Sequence, residues 1–319
     1  MADTLAILRS LNADHYTSGA ALAERFACSR ASISGALAQS ETYGIRLERK
    51  HGVGYKLIHP IEWLDEARIA SQLAADTQLC IRCCSETEST NRQLLVQAQH
   101  GQALAAEWQT GGRGRRGRRW QGQAGASLLF SLAWQFDGGP DRLAGLPLAV
   151  GLTVAETLAQ AGVARIALKW PNDLLLPASE DWGKAGGILI EMQGDALGPS
   201  LLVIGIGLNL APPGQDTGQV AAGLQEHGLR CGRNELLGQL LANLETMLRT
   251  FSRQGFTSAL QAGWERRHAW QNQPVTAYLP DGSTQHGIAC GISSDGSLRL
   301  RTTEGEILLG SGDISLRRG

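Results

Sequence analysis

Several features of large protein classes are missing from this chain. Of its 319 residues, 29 are Lys or Arg and 30 are Asp or Glu, so the formal net charge is −1. That balance argues against a protein that coats nucleic acid. The most apolar stretch, residues 146–161, is interrupted by Thr153, Glu156 and Thr157, so it predicts no membrane span. The first residues, MADTLAILRSLNADH, lack the charged region followed by an apolar region that is typical of a signal peptide. We therefore expect a cytoplasmic protein without a membrane partner.

A cysteine framework is missing as well. The six cysteines are scattered, and only Cys80-x-x-Cys83 has the spacing of a metal or redox pair; the others are Cys28, Cys84, Cys231 and Cys290. No second pair or histidine cluster supplies the four ligands of a structural zinc. Because QLCIRCC has the pattern of a strand, we predict reduced thiols that are buried or half-buried.

What the chain does have is a concentrated arginine–glycine run. Residues 112–119, here called the arginine loop, read GRGRRGRR, with five arginines, three glycines and no acid, and Trp120 follows. Glycine lets the backbone approach a ligand closely, and arginine offers a planar fork of donors for phosphate or carboxylate. The run therefore predicts a loop that closes over an anionic small molecule.

Two other interpretations of the arginine loop are weaker. It matches G-x-G-x-x-G formally, but a dinucleotide fingerprint needs a helix directly after the glycines, and here WQGQAGASLLFSLAW predicts more loop and then a strand. No Walker Lys-Ser or Lys-Thr pair is present. An RNA-binding or disordered segment is the second alternative. Against it, the run is short and lies between strand-like segments at 103–108 and 127–134.

The first 60 residues predict a winged helix. A short helix at 3–11 precedes two helices that Ser18 and Ser29 cap, with Cys28 in the turn between them. IRLERK and KLI then flank a glycine-bearing turn, as in a wing. A small helical interaction domain is the alternative, because this pattern is degenerate. Candidate DNA contacts are Arg30, Ser32, Ser34 and Gln39 on the second capped helix, and Arg46, Arg49, Lys50 and His51 on the wing. That helix carries few Lys or Arg side chains, which argues against strong DNA binding because phosphate contacts dominate affinity.

Helices and strands alternate after residue 62. We predict helices at 64–73, 91–100, 146–160, 233–251 and 256–268, and strands at 79–84, 103–108, 127–134, 166–170, 187–192 and 201–209. Several connections are too short for parallel crossovers, so the sheet should be mixed or mainly antiparallel. Short strands separated by Asp-Gly turns follow residue 273 and predict a small β-barrel. The expected domains are 1–62, 63–270 and 271–319.

Four further motifs accompany the arginine loop. Glu88-Ser89-Thr90-Asn91 joins a strand to a helix and is by itself most simply a helix cap. KWPND at 169–173 should leave Asn172 and Asp173 on a loop after a strand broken by Pro171. Lys184 should directly precede a glycine-opened strand, and GIGLN at 205–209 should end an apolar strand.

These motifs occur in the order and spacing found in biotin protein ligases, and the winged helix resembles that of the bifunctional members, which also repress the biotin operon. The resemblance covers essentially the whole chain. It implies an α/β (α+β) protein with a winged helix-turn-helix, a catalytic domain like that of class II aminoacyl-tRNA synthetases and an SH3-like C-terminal barrel. It further implies ATP, biotin and Mg²⁺, a biotin carboxyl carrier protein and an operator DNA as partners, and a homodimer.

The same resemblance implies roles for individual residues. Biotin or biotinyl-5′-AMP would be bound by Ser89, Thr90, Asn91, Gln109, Arg113, Gly114, Arg115 and Lys184. Of these, Lys184, Arg113 and Arg115 would be catalytic. Near the adenylate would lie Arg116, Arg118, Trp120, Asn172, Asp173 and Asn209, with Asp173 a candidate Mg²⁺ ligand. A sensor domain without catalysis and a lipoate ligase remain as alternatives; the phosphate-handling cations favour catalysis over sensing.

Overall fold

Three short helices and a two-stranded hairpin form the N-terminal unit. The structure is a computed structural model that describes residues 3–97, 99–137, 139–179, 181–193, 199–214, 218–310 and 314–318. The helices are α1 (Thr4–Arg9), α2 (Gly19–Arg25) and α3 (Arg30–Ala38), and the hairpin pairs β1 (Leu47–Lys50) with β2 (Gly54–Leu57). The side chains of Ser18 and Ser29 accept hydrogen bonds from the backbone N–H three residues later, as predicted. The predicted winged-helix arrangement is confirmed.

The core of the N-terminal unit includes residues from much later in the chain. Leu8, Leu22 and Leu37 are fully buried in it, and Ala124 belongs to the same apolar cluster. The N–H of Ala124 donates to the carbonyl of Tyr43 at 3.0 Å. The Tyr43 ring meets that of Trp108 edge-on, with centroids 5.4 Å apart. The segments on either side of the arginine loop, at Trp108 and at Ala124, therefore both pack against the winged helix.

A seven-stranded mixed sheet forms the centre of the molecule. Its strands are β3 (Cys80–Thr87), β4 (Gln102–Gln109), β5 (Ser127–Phe136), β6 (Ala167–Lys169), β7 (Asp173–Pro177), β8 (Trp182–Gln193) and β9 (Ser200–Asn209). They lie in the order β3-β4-β5-β9-β8-β7-β6. Only the β3–β4 pair is parallel, and the other pairs are antiparallel. The predicted mixed sheet is confirmed.

Helices pack on the central sheet and at its edge. They are α4 (Glu66–Ala70), α5 (Thr90–Gln97), α6 (Leu146–Gln160), α7 (Arg233–Gln254) and α8 (Ser258–Arg267). Helix α6 has buried residues all around it because it lies between the sheet and the helices α7 and α8. Among the residues the structure describes, we find no helix with the length and apolarity to cross a bilayer.

The sequence predictions were wrong at two positions that matter for the site. The KWPND segment does not leave Asp173 on a loop: residues 170–172, including Asn172, form a tight turn, and Asp173 begins strand β7, where it pairs with Lys169. Pro171 therefore reverses the chain rather than ending the sheet. Lys184 does not precede a strand but lies inside β8, which begins at Trp182 because its first residues already pair with β7.

Five strands complete the fold at the C-terminus. They are β10 (Pro274–Tyr278), β11 (Thr284–Ile292), β12 (Leu298–Thr302), β13 (Gly305–Leu309) and β14 (Ser315–Arg318), in one antiparallel sheet. The apolar face of this sheet is continuous with the core of the central domain. The indole N–H of the fully buried Trp170 donates to the carbonyl of Gly296 at 3.1 Å. The KWPND turn therefore also anchors the C-terminal sheet.

Candidate active site

One cavity gathers every residue that the sequence assigned to the ligand site. It has a volume of about 810 Å³ and lies between the central sheet, the arginine loop and the C-terminal sheet. The predicted residues that line it are Ser89, Thr90, Asn91, Gln109, Arg113, Gly114, Arg115, Arg116, Arg118, Trp120, Asn172, Asp173, Lys184 and Asn209. A cavity of this size is typical of a site for a cofactor-sized ligand.

The arginine loop forms a short hairpin across the mouth of this cavity. The N–H of Gly114 donates to the carbonyl of Arg118 at 2.7 Å, and the N–H of Trp120 donates to that of Gly112 at 2.9 Å. Arg116 lies at the tip with φ 60°. The Arg115 Nη1 donates a hydrogen bond to the Asn172 Oδ1 at 3.3 Å. The loop thus holds a defined shape beside the KWPND turn.

Glycines in strand β9 make room for side chains that come from outside the sheet. A Cβ on Gly207 would lie 2.6 Å from the ring of Trp120, and a Cβ on Gly205 would lie 2.1 Å from the Asn91 Oδ1. Any larger residue would displace these groups. The glycines of the GIGLN motif therefore let the indole of Trp120 rest directly on the sheet, next to the Lys184 ammonium, which lies 5.5 Å from the ring centre.

Two lysines share one carboxylate at the floor of the cavity. The Lys184 Nζ lies 2.7 Å from Asp173 Oδ1, and the Lys169 Nζ lies 3.6 Å from Oδ2, with all three side chains 14–19% exposed. Burial opposes the charge on Asp173, yet the two ammonium groups hold its pKa below the usual value. Burial also lowers the pKa of Lys169, against the attraction of Asp173. The cluster carries one positive charge in excess, and Lys184 directs it into the cavity.

Asp173 is engaged by two lysines, and its role as a magnesium ligand stays a prediction. Both of its oxygens face ammonium groups, and no other acid lines the cavity among the described residues. Within the part of the chain that the structure describes, no cluster of three His, Cys, Asp or Glu side chains could hold a metal ion. Mg²⁺ usually needs one or two free carboxylates together with substrate phosphates. The protein side chains alone do not fit a magnesium site here.

A chain of hydroxyl and amide groups lines the opposite end of the cavity. The Ser131 Oγ lies 2.5 Å from Asn91 Oδ1 and 2.7 Å from Thr90 Oγ1. The Oε1 of Gln109 accepts from the Thr90 N–H at 2.7 Å. Both N–H groups of the Asn91 amide are also occupied, by the Leu189 carbonyl at 3.1 Å and the Glu191 carboxylate at 2.8 Å. In this arrangement the Asn91 side chain orients its neighbours, and its role in binding a ligand stays a prediction.

Ser89 occupies the N-terminal end of helix α5, as the simpler interpretation of its motif expected. Its Oγ accepts a long hydrogen bond from the Arg92 N–H at 3.5 Å, and its carbonyl accepts from the Gln93 N–H. The side chain is buried at the edge of the cavity. Its cap role and its position beside the cavity are therefore compatible.

Other parts of the cavity were missed by sequence reasoning. Residues 314–317 from the C-terminal sheet and Trp270 line it, although the sequence analysis assigned no site residue to either. The Lys169 Nζ lies 5.5 Å from the centre of the Trp270 ring. Ser131 and Glu191, which contact the lining residues Asn91 and Arg113 from behind, were also missed, because they belong to strand interiors where nothing in the local pattern marks them. In the sequence, the basic pair Arg317 and Arg318 was the feature that could have indicated that the C-terminal sheet contributes to an anion site.

The predicted DNA contacts are exposed, but one of them is engaged within the protein. Arg30, Ser32, Ser34 and Gln39 are exposed along α3, and Lys50 is exposed on the hairpin. The Arg49 Nη2, however, donates to the Leu37 carbonyl at 2.7 Å, near the C-terminal end of α3. Arg49 thus fixes the hairpin against the helix, and its guanidinium is engaged within the protein.

Five of the six cysteines are half-buried, as predicted, whereas Cys80 is exposed, which corrects the prediction for that residue. All six are free thiols, and none of them joins a metal cluster within the described residues. Burial raises the pKa of Cys83 to about 12 and that of Cys84 to about 11. Thiols with such values stay protonated and are poor nucleophiles.

Three family models match successive regions of the chain. They are described as an HTH domain at residues 4–56, the biotin/lipoate A/B protein ligase family at 81–209 and the biotin protein ligase C-terminal domain at 272–317. The regions coincide with the winged helix, the part of the central sheet that builds the cavity, and the C-terminal sheet.

Relatives and solved structures agree with these matches. The bifunctional ligase/repressor BirA of Salmonella typhimurium is 35% identical over 97% of this chain and 96% of its own length. Its Escherichia coli counterpart is 33% identical over 98% and 97%. A biotin protein ligase from Aquifex aeolicus, solved with biotin and ATP, is 30% identical with a TM-score of 0.64, over 75% of this chain and 99% of that one. This chain therefore belongs to the biotin protein ligase family and matches its bifunctional ligase/repressor members over nearly its whole length.

Proposed function

We propose that this protein is an ATP-dependent biotin protein ligase. It joins biotin to ATP as biotinyl-5′-AMP and then transfers the biotinyl group to a lysine of a biotin carboxyl carrier protein. The observation that carries this proposal is the excess of positive charge around one cavity. Among the described residues, Lys169, Lys184 and the arginines of the loop outnumber the carboxylates that they meet, which are those of Asp173 and Glu191. A surplus of fixed cations suits a ligand that brings its own negative charges.

The cations address the main obstacle to the first step. A biotin carboxylate oxygen attacks the α-phosphorus of ATP, the bond to pyrophosphate breaks, and two anions must approach each other. Lys184 lies where it can neutralise the carboxylate and the α-phosphate together, and Arg113 and Arg115 approach from the loop. A preorganised donor at such a position is worth about 3 kcal/mol of transition-state stabilisation. We infer that Mg²⁺ enters with the triphosphate of ATP rather than through Asp173.

The arginine loop provides the shielding that the second step needs. The acyl-adenylate must survive in water until the neutral amine of the carrier lysine attacks its carbonyl, releases AMP and loses a proton. A hairpin across the mouth of the cavity, with Trp120 resting on β9, limits the access of water. Arg116 and Arg118 at its tip would extend over the phosphate, and Asn209 holds the Lys184 backbone through its carbonyl at 3.2 Å.

The decisive experiment incubates the protein with biotin, ATP and a purified carrier domain. Mass spectrometry should show one biotinyl group on the acceptor lysine, and a carrier with that lysine changed to arginine should stay unlabelled. Exchange of labelled pyrophosphate into ATP, dependent on biotin and measured without carrier, reports the first step alone. Absence of both signals would leave only a small-molecule sensor. Parallel reactions with lipoate in place of biotin separate the remaining alternative, a lipoate ligase.

The N-terminal unit supports a second activity. We propose that the protein represses biotin-synthesis genes by binding operator DNA as a homodimer when biotinyl-5′-AMP is bound. Its support is the helix-turn-helix match and the exposed surface of α3, from which Arg30 and Gln39 can reach base edges. A gel-shift with the promoter of those genes, at a stated salt concentration and with or without the adenylate, tests it. Sedimentation under the same conditions tests the dimer.

The finer features of the architecture belong to the same proposal. We infer domain boundaries at 1–62, 63–270 and 271–319, a central domain of the class II aminoacyl-tRNA synthetase type and an SH3-like C-terminal barrel. The mixed sheet of seven strands and the antiparallel sheet of five strands support the last two. Limited proteolysis followed by mass spectrometry would test the boundaries.

A further inference from the structure

A carboxylate outside the predicted site connects two parts of the cavity wall. Glu191 lies in strand β8, and its side chain is 25% exposed. The Arg113 Nη2 lies 3.0 Å from its Oε1 and 3.1 Å from its Oε2. The Asn91 amide donates to the same Oε2 at 2.8 Å. One acid therefore joins the base of the arginine loop to the start of helix α5.

Two acceptors, the Glu191 carboxylate and the Leu189 carbonyl, together fix which way the Asn91 amide points. An ionised carboxylate accepts hydrogen bonds and cannot donate, so the Asn91 nitrogen must face it and Oδ1 must face Ser131. Ser131 has a single hydroxyl proton, which it must then donate to Oδ1. The single hydroxyl proton of Thr90 then has two acceptors, the Ser131 Oγ at 2.7 Å and the Gln109 Oε1 at 3.2 Å. The orientation of Asn91, and with it the direction of the Ser131 bond, is thus supported by Glu191 together with the Leu189 carbonyl.

We propose that Glu191 is a positioning residue for the ligase reaction, which holds the arginine loop through Arg113 and orients the hydroxyl–amide chain through Asn91. The inference rests on the proposed function. Arg113 is 44% exposed, so its pair with Glu191 is weak enough to open and close and is sensitive to salt. Loop opening and loss of the adenylate should therefore become faster as the salt concentration rises.

The test compares Glu191→Gln with the wild-type enzyme. The variant keeps the shape of the side chain and loses its charge. We expect biotinyl-5′-AMP to dissociate about five- to tenfold faster, with a dissociation rate that depends less steeply on salt than that of the wild-type enzyme. The KM for biotin should rise more than kcat falls, because the hydroxyl–amide chain contacts the bound ligand before any chemistry. Glu191→Asp, which retains the charge, should recover part of the salt dependence.

A double-mutant cycle separates the proposed mechanism from a general loss of structure. If Glu191 acts on the loop through Arg113, then Arg113→Gln with Glu191→Gln should release the adenylate no faster than Arg113→Gln alone. Glu306→Gln is the matched control, because Glu306 forms a bidentate salt bridge with Arg299 in the C-terminal sheet, outside the cavity. Additive effects in the cycle would overturn the proposal. So would a dissociation rate of the adenylate from Glu191→Gln that depends on salt as steeply as the rate from the wild-type enzyme. A wild-type protein that forms no adenylate would instead contradict the ligase function itself.

Discussion

Two carboxylates inside this protein meet cations in opposite ways. Glu107 pairs with Arg233 at 2.6 Å, and the two side chains are 0% and 2% exposed. Glu107 also accepts from the N–H of Leu64 at 2.6 Å, and Arg233 donates to the carbonyls of Glu62 and Ser127. Charges are balanced one to one, and the groups around the pair are protein groups. The pair fastens the segment between the N-terminal and central domains.

Asp173 faces two lysines instead of one, and its cluster opens on the cavity. A buried pair with equal charges needs no ligand, whereas a half-buried cluster with an extra cation is completed by an anion. The difference teaches that charge balance and exposure, more than the presence of an ion pair, distinguish a structural site from a ligand site. Four predictions test that distinction.

The largest effect should come from breaking the balanced pair. Glu107→Ala leaves the Arg233 guanidinium buried without a counter-charge, and we expect the free energy of unfolding to fall by about 3–5 kcal/mol. Urea unfolding followed by circular dichroism measures it. Glu306→Ala, at an exposed pair with Arg299, should cost less than about 1 kcal/mol. Equal losses at the two positions would remove the structural distinction drawn for Glu107.

Removing the extra cation should affect catalysis and leave stability nearly unchanged. Lys184→Ala takes away the ammonium that faces the cavity, so biotin-dependent pyrophosphate exchange should fall by about 10²–10³-fold. Asp173 keeps Lys169 as a partner, which limits the loss in stability to about 1 kcal/mol. Lys56→Ala on the wing serves as the control. Unchanged adenylate synthesis in Lys184→Ala would refute the role of this lysine.

A buried ionisable group without any counter-charge provides a third case. His268 is buried, and burial lowers its pKa to about 4 from 6.5. The unfolded chain binds the proton more readily, so stability is full above about pH 6.5 and is lost as the pH falls towards 4. The loss should reach about 3 kcal/mol, taking about 1.4 kcal/mol for each pKa unit. A His268→Gln variant should lose less stability over this pH range; identical pH profiles would contradict the assignment.

The smallest effect is expected at the loop itself. Arg115→Gly removes the contact with Asn172 and gives the loop more freedom, so the adenylate should escape more often. We expect roughly tenfold more labelling of bystander lysines, which corresponds to about 1.4 kcal/mol. Streptavidin blots of a reaction containing an unrelated lysine-rich protein measure it. A variant that labels only the carrier would show that Arg115 does not help to retain the intermediate.

The sequence predicted those parts of the site that depend on local chemistry. The arginine loop, the STN and KWPND motifs and Lys184 could be recognised because each concentrates unusual residues in a short segment. All of them line one cavity. The order of helices and strands also followed from caps and apolar periodicity, as at Ser18 and Ser29.

The remaining parts of the site arise from strand register and domain packing. Ser131 meets Asn91 because β5 lies next to β9, whose Gly205 leaves space for the amide. Residues 314–317 join the cavity because the C-terminal sheet docks on the central core. Asp173 was assigned to a loop because a proline at 171 suggested a break, whereas the chain reverses within three residues. Contacts between distant segments leave no local trace in a sequence.

The position of Ala124 in the winged-helix core has a consequence for the order of folding. A nascent chain emerges from the ribosome with its N-terminus first, and early domains usually fold while later ones are being made. Here the N-terminal unit cannot complete its apolar cluster until residue 124 has emerged, after the entire arginine loop. The core of the winged helix is therefore completed only after the whole arginine loop has been synthesised.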